Sequence, residues 1–143
     1  EAHELALRLA QGFELAGILA IELFVTKDER VIVNELAPRP HNSGHYTIEA
    51  CSFDQFDAHI RGIVGWPLEQ PELLKPAVMV NVLGQHVAST HALIAEHPEW
   101  NMHDYCKAEV RHDRKMGHIT VLTDDTRQTV ADLERTGCWD DLK

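Results

Sequence analysis

Cysteine is scarce in this sequence. The three cysteines, Cys51, Cys106 and Cys138, stand far apart, and no C-x-x-C pair occurs. An odd number of widely spaced cysteines argues against a disulfide framework and against a zinc ribbon. We therefore expect a protein of the reducing cytoplasm.

Long apolar runs are also missing. The longest, residues 16–21, is followed at once by Glu22, whereas a membrane-spanning helix needs about 20 apolar residues. No signal peptide is visible at the start of the sequence. The sequence therefore predicts no association with membranes.

Basic residues are in the minority. The chain has 13 Lys and Arg against 23 Asp and Glu, which gives a net charge of −10. Such a balance is unfavourable for binding a phosphate backbone, so we expect no nucleic-acid partner. With 44% hydrophobic and 25% charged residues over 143 positions, the composition is typical of a globular protein that can bury a core.

Hydrophobic spacing predicts an α+β chain with two parts. Residues 1–68 form a first domain, residues 69–76 a proline-rich linker, and residues 77–143 a second domain. In the first domain we expect a helix at 1–13, strands at 17–26 and 31–37, a loop at 38–46 and one long helix at 47–64. In the second we expect strands at 77–83, 105–110 and 118–122, an ambiguous segment at 86–100 and a helix at 126–135.

The two strands of the first domain predict a hairpin with opposed carboxylates. If Thr26 faces Val31 across a four-residue turn, Glu22 faces Glu35 and both point to one side of the hairpin. Like charges placed opposite each other are destabilising. A bound Mg²⁺, shared with phosphates, would instead be ligated by both carboxylates. The alternative is a solvent-exposed face in a different register. Asn34 points to the opposite side unless a bulge redirects it.

Two further segments favour anion binding. The loop after the hairpin contains Arg39, and its polar residues lead into the start of the long helix, where free N–H groups attract anions. The alternative is a proline-fixed turn before a capped helix. The second segment is a basic cluster in the second domain, with a solvated loop as its alternative. Its members are Lys107, Arg111, Arg114 and Lys115.

Three ordered blocks resemble a known family. Residues 33–50, 77–84 and 114–122 are similar to the signatures of N5-carboxyaminoimidazole ribonucleotide synthases, the ATP-grasp ligases of purine biosynthesis. The resemblance implies the C-terminal part of an ATP-grasp domain, an antiparallel sheet with helices, followed by a small β-rich C-terminal domain. It also implies that ATP, bicarbonate and aminoimidazole ribonucleotide are joined to give the N5-carboxylated ribonucleotide, ADP and phosphate.

The resemblance also implies roles for particular residues. Glu22 and Glu35 match the carboxylates that hold Mg²⁺ against ATP, and Asn34 matches a neighbour of the nucleotide phosphates. The loop that contains Arg39 matches the one that lines the bicarbonate and ribonucleotide end of the family's site. Lys107 and Arg114 match basic residues that hold the ribonucleotide 5′-phosphate, and Lys115 lies beside them. The implied catalytic residues are Arg39, His41 and Asn42, and the implied substrate-binding residues are Arg39, Asn42, Ser43, Lys107, Arg114 and Lys115.

Two departures from the family pattern stand out. Cys106 replaces the glycine of the family's usual Tyr-Gly-Lys, and the chain is less than half as long as family members. We therefore expect these 143 residues alone not to catalyse the full reaction, and the full-length form to be a homodimer. Two alternatives stay open: another ATP-grasp carboxylate–amine ligase, such as the formate-dependent glycinamide ribonucleotide transformylase, or a non-catalytic binding or dimerisation fragment.

Overall fold

The computed structural model describes residues 1–140, and its chain divides into two compact units. Unit 1 comprises Glu1–Ile48 and Ser52–Glu72, and unit 2 comprises Glu49–Cys51 and the chain from Leu73 onward. Both units combine helices with antiparallel strands, so the predicted α+β class is confirmed. The predicted domain limits at 68 and 77 stay a prediction.

Unit 1 contains a helix, a two-stranded hairpin and a second helical region. Its elements are α1 (Ala2–Gly12), β1 (Ala20–Val25), β2 (Val31–Ala37), a 3₁₀ turn (Asn42–Gly44), α2 (Thr47–Ala50), which runs into unit 2, and α3 (Gln55–Val64). The predicted first strand was too long at its start, because residues 17–19 lie outside β1.

The hairpin register differs from the predicted one near the turn. Phe24 pairs with Ile32 and not with Val33, because the connecting turn holds five residues, 26–30, rather than four. A β-bulge beyond Glu22 then shifts the register by one residue, so that Glu22 pairs with Glu35 as predicted. The pairing of the two glutamates is therefore confirmed, although the turn that was used to predict it is different.

The predicted long helix at 47–64 is wrong, because the chain interrupts it. The Asp54 side chain accepts hydrogen bonds from the backbone N–H groups of Phe56 (2.7 Å) and Asp57 (2.9 Å). These contacts form an N-cap, which starts a new helix at α3. The helix ends at Gly65, whose φ of +71° is the left-handed conformation that glycine adopts readily.

Unit 2 contains a three-stranded antiparallel sheet with helices. Its elements are β3 (Ala77–Leu83), α4 (Val87–Leu93), β4 (Asn101–Asp104), β5 (Lys115–Leu122) and α5 (Thr126–Arg135), and the strand order is β3-β5-β4. Within residues 1–140 no helix has the length and apolar character needed to cross a membrane.

The predicted strand at 105–110 is wrong. The strand lies before it, at β4, and residues 105–114 form a loop. Cys106 and Asp113 have φ values of +51° and +60°, and this left-handed conformation does not continue a strand. β5 begins three residues earlier than predicted because Gly117 allows close pairing: a Cβ there would lie 2.4 Å from the carbonyl oxygen of His103.

The hydrophobic core lies in unit 2. It is formed by Val82, Trp100, Ile119, Val121, Leu133, Cys138 and Trp139. The indole N–H of Trp139 donates a 2.9 Å hydrogen bond to the carbonyl oxygen of Asn81, which ties the end of the described chain to β3. In unit 1 the only buried residues are Ala37 and Gln55. Apolar burial therefore stabilises unit 2 far more than unit 1.

We expect Ile119→Ala to lower the free energy of unfolding of unit 2 by about 2–5 kcal/mol, since Ile119 is fully buried and the change leaves a cavity. Urea unfolding followed by fluorescence of Trp100 and Trp139, with Trp66 replaced by Phe, measures this loss. Val110→Ala is the control, because Val110 is 59% exposed and should change stability by less than about 0.5 kcal/mol. Equal losses in both variants would contradict the position of the core.

Candidate functional site

The hairpin brings three polar side chains together in unit 1. Glu22 and Glu35 are direct partners across β1 and β2, and Asn34 is the extra residue of the bulge. A regular strand would point Asn34 away from Glu22, but here its amide Nδ2 donates a 3.1 Å hydrogen bond to Oε2 of Glu22. The bulge redirects this side chain toward the carboxylate, which is a common role of bulges near functional sites.

His41 approaches the same carboxylate from the loop. Its Nε2 lies 3.7 Å from Oε1 of Glu22, and its Nδ1 accepts hydrogen bonds from the Ser43 hydroxyl (2.8 Å) and the Ser43 backbone N–H (3.4 Å). Because a backbone N–H can only donate, Nδ1 is unprotonated and the ring proton of neutral His41 is assigned to Nε2. The imidazole therefore presents an N–H toward Glu22.

Gln55 holds the loop and was missed by the sequence analysis. Its Oε1 accepts from the His41 backbone N–H (2.9 Å), while its Nε2 donates to the His41 carbonyl oxygen (2.9 Å) and lies 2.7 Å from Nδ1 of His45. A Cβ at Gly44 would lie 2.5 Å from Gln55 Oε1, so any larger residue there would displace the Gln55 carboxamide. The sequence feature that could have indicated this role is the position of Gln55 directly after Asp54, which caps α3.

Asn42 and Arg39 are the remaining candidates of the loop. Asn42 begins the 3₁₀ turn, and its carbonyl oxygen accepts from the His45 backbone N–H at 3.1 Å. Arg39 is exposed, and its guanidinium donates to the neighbouring carbonyl oxygen of Pro40 at 3.1 Å. The loop thus brings His41 to Glu22, with Ser43 behind it, and leaves the guanidinium of Arg39 at the surface.

The basic cluster of unit 2 lies on the loop before β5. The ammonium of Lys107 donates to the carbonyl oxygen of Lys115 (2.5 Å) and lies 5.3 Å from the ring centroid of Tyr105. Arg114 donates to the carbonyl oxygen of Glu109 at 3.1 Å, and the Glu109 carboxylate binds Arg111. The loop therefore brings Lys107 to Lys115 at the start of β5, and the carboxylates of Glu109 and Asp113 lie among its cations.

Tyr105 is a second residue that the sequence analysis missed. Its hydroxyl lies 2.9 Å from Nδ1 of the buried His118, and its ring faces Lys107. Aromatic rings attract cations in this arrangement. Tyr105 therefore links the core of unit 2 to the cation that was predicted to bind phosphate.

The cysteines show no sign of a nucleophile. Burial raises the pKa of the Cys51 thiol, which disfavours the reactive thiolate. Cys106 is exposed, and its backbone N–H donates to Oδ1 of Asp104 at 2.7 Å. Its left-handed φ is the conformation that a glycine would adopt without strain.

Residues 1–140 contain no group of three or more histidine, cysteine and acidic side chains that could enclose a metal ion. The hairpin supplies two carboxylates, Glu22 and Glu35. Two carboxylates suit Mg²⁺, which keeps several water or phosphate ligands of its own. The donor set therefore fits a metal that is shared with a nucleotide.

Two family models match the chain. The ATP-grasp domain matches residues 1–56, and the phosphoribosylaminoimidazole carboxylase C-terminal domain matches residues 77–132. The chain thus combines ATP-grasp sequence, which includes the carboxylate hairpin, with the C-terminal domain of a particular carboxylase.

Known relatives define the family more closely. The N5-carboxyaminoimidazole ribonucleotide synthase of Staphylococcus aureus (strain COL) is 48% identical over 134 residues, which are 93% of this chain and 36% of the relative. The S. aureus synthetase solved in complex with ADP matches with a TM-score of 0.89 and 46% identity, over 94% of this chain and 36% of that one. The Aspergillus clavatus synthase, solved with ADP and 5-aminoimidazole ribonucleotide, matches with a TM-score of 0.84 and 34% identity, over 94% and 38%.

The chain belongs to the N5-carboxyaminoimidazole ribonucleotide synthase family. The family resemblance of the three sequence blocks is thereby confirmed. The chain spans just over a third of the length of these relatives.

We expect Cys106→Gly to raise the free energy of unfolding of unit 2 by about 0.5–1 kcal/mol, because glycine removes the cost of a left-handed φ. Cys106→Ala is the matched control, since alanine removes the sulfur but keeps a Cβ and its strain. Urea unfolding of both variants measures the difference. A stabilisation by Cys106→Ala equal to that by Cys106→Gly would assign the effect to the sulfur and refute the backbone explanation.

Proposed function

We propose that this chain is part of a cytoplasmic ATP-grasp ligase that carboxylates aminoimidazole ribonucleotide in purine biosynthesis. The observation that supports it most directly is the pairing of Glu22 with Glu35, with the Asn34 amide and the His41 imidazole at the same carboxylate. The relatives named above support the substrates, because their solved structures hold ADP and the ribonucleotide. The longer protein would act as a homodimer.

In this proposal Glu22 and Glu35 hold Mg²⁺, which offsets the negative charge of the ATP phosphates when bound. Asn34 orients the Glu22 carboxylate through its 3.1 Å hydrogen bond and stands next to the nucleotide phosphates. The Nε2–H of His41 faces the same carboxylate and adds a donor at the edge of the site.

The loop would serve bicarbonate and the ribonucleotide. A bicarbonate oxygen attacks the γ-phosphorus of ATP and ADP leaves. The exocyclic amine of the ribonucleotide then forms the new C–N bond to the carboxyl carbon of carboxyphosphate, or of the CO₂ that it releases. The C–O bond to phosphate breaks, and the proton lost by the amine passes to the departing phosphate. Arg39 is exposed, and its planar guanidinium can bind bicarbonate or carboxyphosphate through two N–H groups. His41 and Asn42 complete the catalytic set, and Ser43 with Asn42 contacts the substrate.

The basic loop of unit 2 would bind the 5′-phosphate of the ribonucleotide. Lys107, Arg114 and Lys115 supply the charge, and Lys107 already donates to the carbonyl oxygen of Lys115. A phosphate could replace that carbonyl as the acceptor, because an ammonium binds a dianion more strongly than a neutral oxygen.

The carboxylate site can be tested with paramagnetic Mn²⁺ and ADP as a probe of the Mg²⁺–nucleotide site. In NMR spectra of the 143-residue chain, we expect Mn²⁺ with ADP to broaden the signals of Glu22, Asn34 and Glu35, and excess Mg²⁺ to restore them. Glu22→Gln combined with Glu35→Gln should remove the broadening, because neutral amides are poor ligands for Mg²⁺ and Mn²⁺.

Glu29→Gln is the control for that experiment, since Glu29 lies in the turn of the same hairpin and its loss should leave the broadening unchanged. Broadening that persists in the double variant would refute the metal role. Nucleotide binding that the double variant leaves unchanged would favour a non-catalytic binding fragment.

We expect the 143-residue chain alone to show no ribonucleotide-dependent ATP hydrolysis. Unit 1 buries only Ala37 and Gln55 among its described residues, so it cannot shield carboxyphosphate from water. Phosphate release measured with and without aminoimidazole ribonucleotide tests this expectation, and release that depends on the ribonucleotide would contradict it. In a longer protein that contains the chain, aminoimidazole ribonucleotide should stimulate release and glycinamide ribonucleotide should not.

A further inference from the structure

Gln55 is one of the two buried residues of unit 1, with 6% of its surface exposed. Burial of a carboxamide is unfavourable unless its polar atoms are hydrogen-bonded. Here the oxygen accepts one hydrogen bond, and the amide nitrogen has two partners for its two hydrogens. The oxygen and both N–H groups of this carboxamide therefore have partners, and all of these partners lie in the loop before α3.

The orientation of this carboxamide follows from its partners. The His41 backbone N–H can only donate and the His41 carbonyl can only accept, so Oε1 must face the first and Nε2 the second. The second hydrogen of Nε2 then points to Nδ1 of His45 at 2.7 Å. Nδ1 of His45 must therefore be unprotonated, which assigns the ring proton of neutral His45 to Nε2.

This pairing holds the backbone N–H and C=O of His41, as a neighbouring strand would. The backbone at His41 is extended, with φ −126° and ψ 150°. With its N–H and C=O both held, the residue cannot rotate without breaking two hydrogen bonds. The imidazole is thereby kept where Nδ1 meets Ser43 and Nε2 faces the Glu22 carboxylate.

The other end of Gln55 is also held. Its backbone N–H donates to the hydroxyl oxygen of Thr47 at 3.0 Å, and that hydroxyl donates to the Gly44 carbonyl oxygen at 2.6 Å. Gln55 thus contacts the loop both directly and through Thr47. Because Asp54 caps α3 one residue earlier, the start of the helix is a firm base for these contacts.

We propose that Gln55 is a positioning residue that latches the loop of residues 39–45 and so aims the His41 Nε2–H at the Glu22 carboxylate. The latch itself follows from unit 1 alone. Its effect on catalysis rests on the function proposed above. An amide suits this role because it offers one acceptor and two donors in one plane.

Two substitutions in the 143-residue chain separate the acceptor from the donors. Gln55→Met removes both, so we expect amide hydrogen exchange at His41 to become about tenfold faster, the usual effect of losing one hydrogen bond. Gln55→Glu keeps the acceptor but sets an oxygen against the His41 carbonyl, so the His41 amide should exchange faster than in the unchanged chain and more slowly than in Gln55→Met. Its carboxylate cannot donate, so the proton of neutral His45 should move from Nε2 to Nδ1, which the ¹⁵N shifts of the ring report.

Folding of the variants is checked at α3, where the Asp54-capped amides of Phe56 and Asp57 should keep their shifts. Gln11→Met is the matched control, because Gln11 is exposed on α1 and should alter neither histidine. If Gln55→Met leaves His41 exchange within twofold of the unchanged chain, or if Gln55→Glu leaves the His45 tautomer unchanged, the latch is refuted.

A kinetic measurement then tests the link to catalysis. In a longer protein that contains this chain, Gln55→Met should lower kcat at least tenfold with the KM for ATP unchanged, because a misplaced loop costs rate more than nucleotide affinity. Equal changes in kcat and in the KM for ATP would refute a positioning role. Absence of activity in the unchanged protein would refute the proposed function and leave the NMR result for the latch standing.

Discussion

The candidate site depends on one extra residue in β2. The pairing next to the turn, continued without a bulge, would place Asn34 opposite Glu22 and Glu35 opposite Ile21. Glu35 would then point to the other side of the hairpin, because side chains alternate along a strand. The bulge at Asn34 pairs Glu22 with Glu35, while the Asn34 amide still reaches the Glu22 carboxylate. Every contact proposed for metal and nucleotide follows from that local irregularity.

Stability and candidate chemistry are distributed unequally between the two units. Unit 2 has a continuous core around Ile119, with Trp100 and Trp139 packed edge to face. In unit 1, among the described residues, hydrogen bonds replace apolar burial around the loop, and buried Gln55 is their centre. Functional loops are commonly found in such regions of low apolar burial. The exposed carboxylates, the loop and its latch fit that pattern.

Sequence reasoning predicted well wherever a local rule decides the structure. Charged residues marked the hairpin turn. The Glu22–Glu35 pair was also predicted, but from a four-residue turn and unbroken alternation, whereas a five-residue turn and a bulge produce it. It failed where a single residue overrides the pattern. Asp54 divides a helix whose apolar stripe reads as continuous. Cys106 adopts a left-handed φ that a cysteine does not indicate, although the family has glycine at this position. It also missed Gln55 and Tyr105, because their roles come from partners distant in sequence.

By itself the sequence determined the family, the α+β class and the identity of the polar residues, because motifs, alternation and residue chemistry are properties of the linear chain. Only the tertiary structure decided which of these residues meet. The register shift that brings Glu35 opposite Glu22, with Asn34 still bonded to Glu22, is set by hydrogen bonding between two strands. The tautomers assigned to His41 and His45 are set by the Ser43 backbone N–H and by the Gln55 carboxamide, respectively. Such contacts arise from the three-dimensional placement of donors and acceptors, which spacing along the chain does not specify.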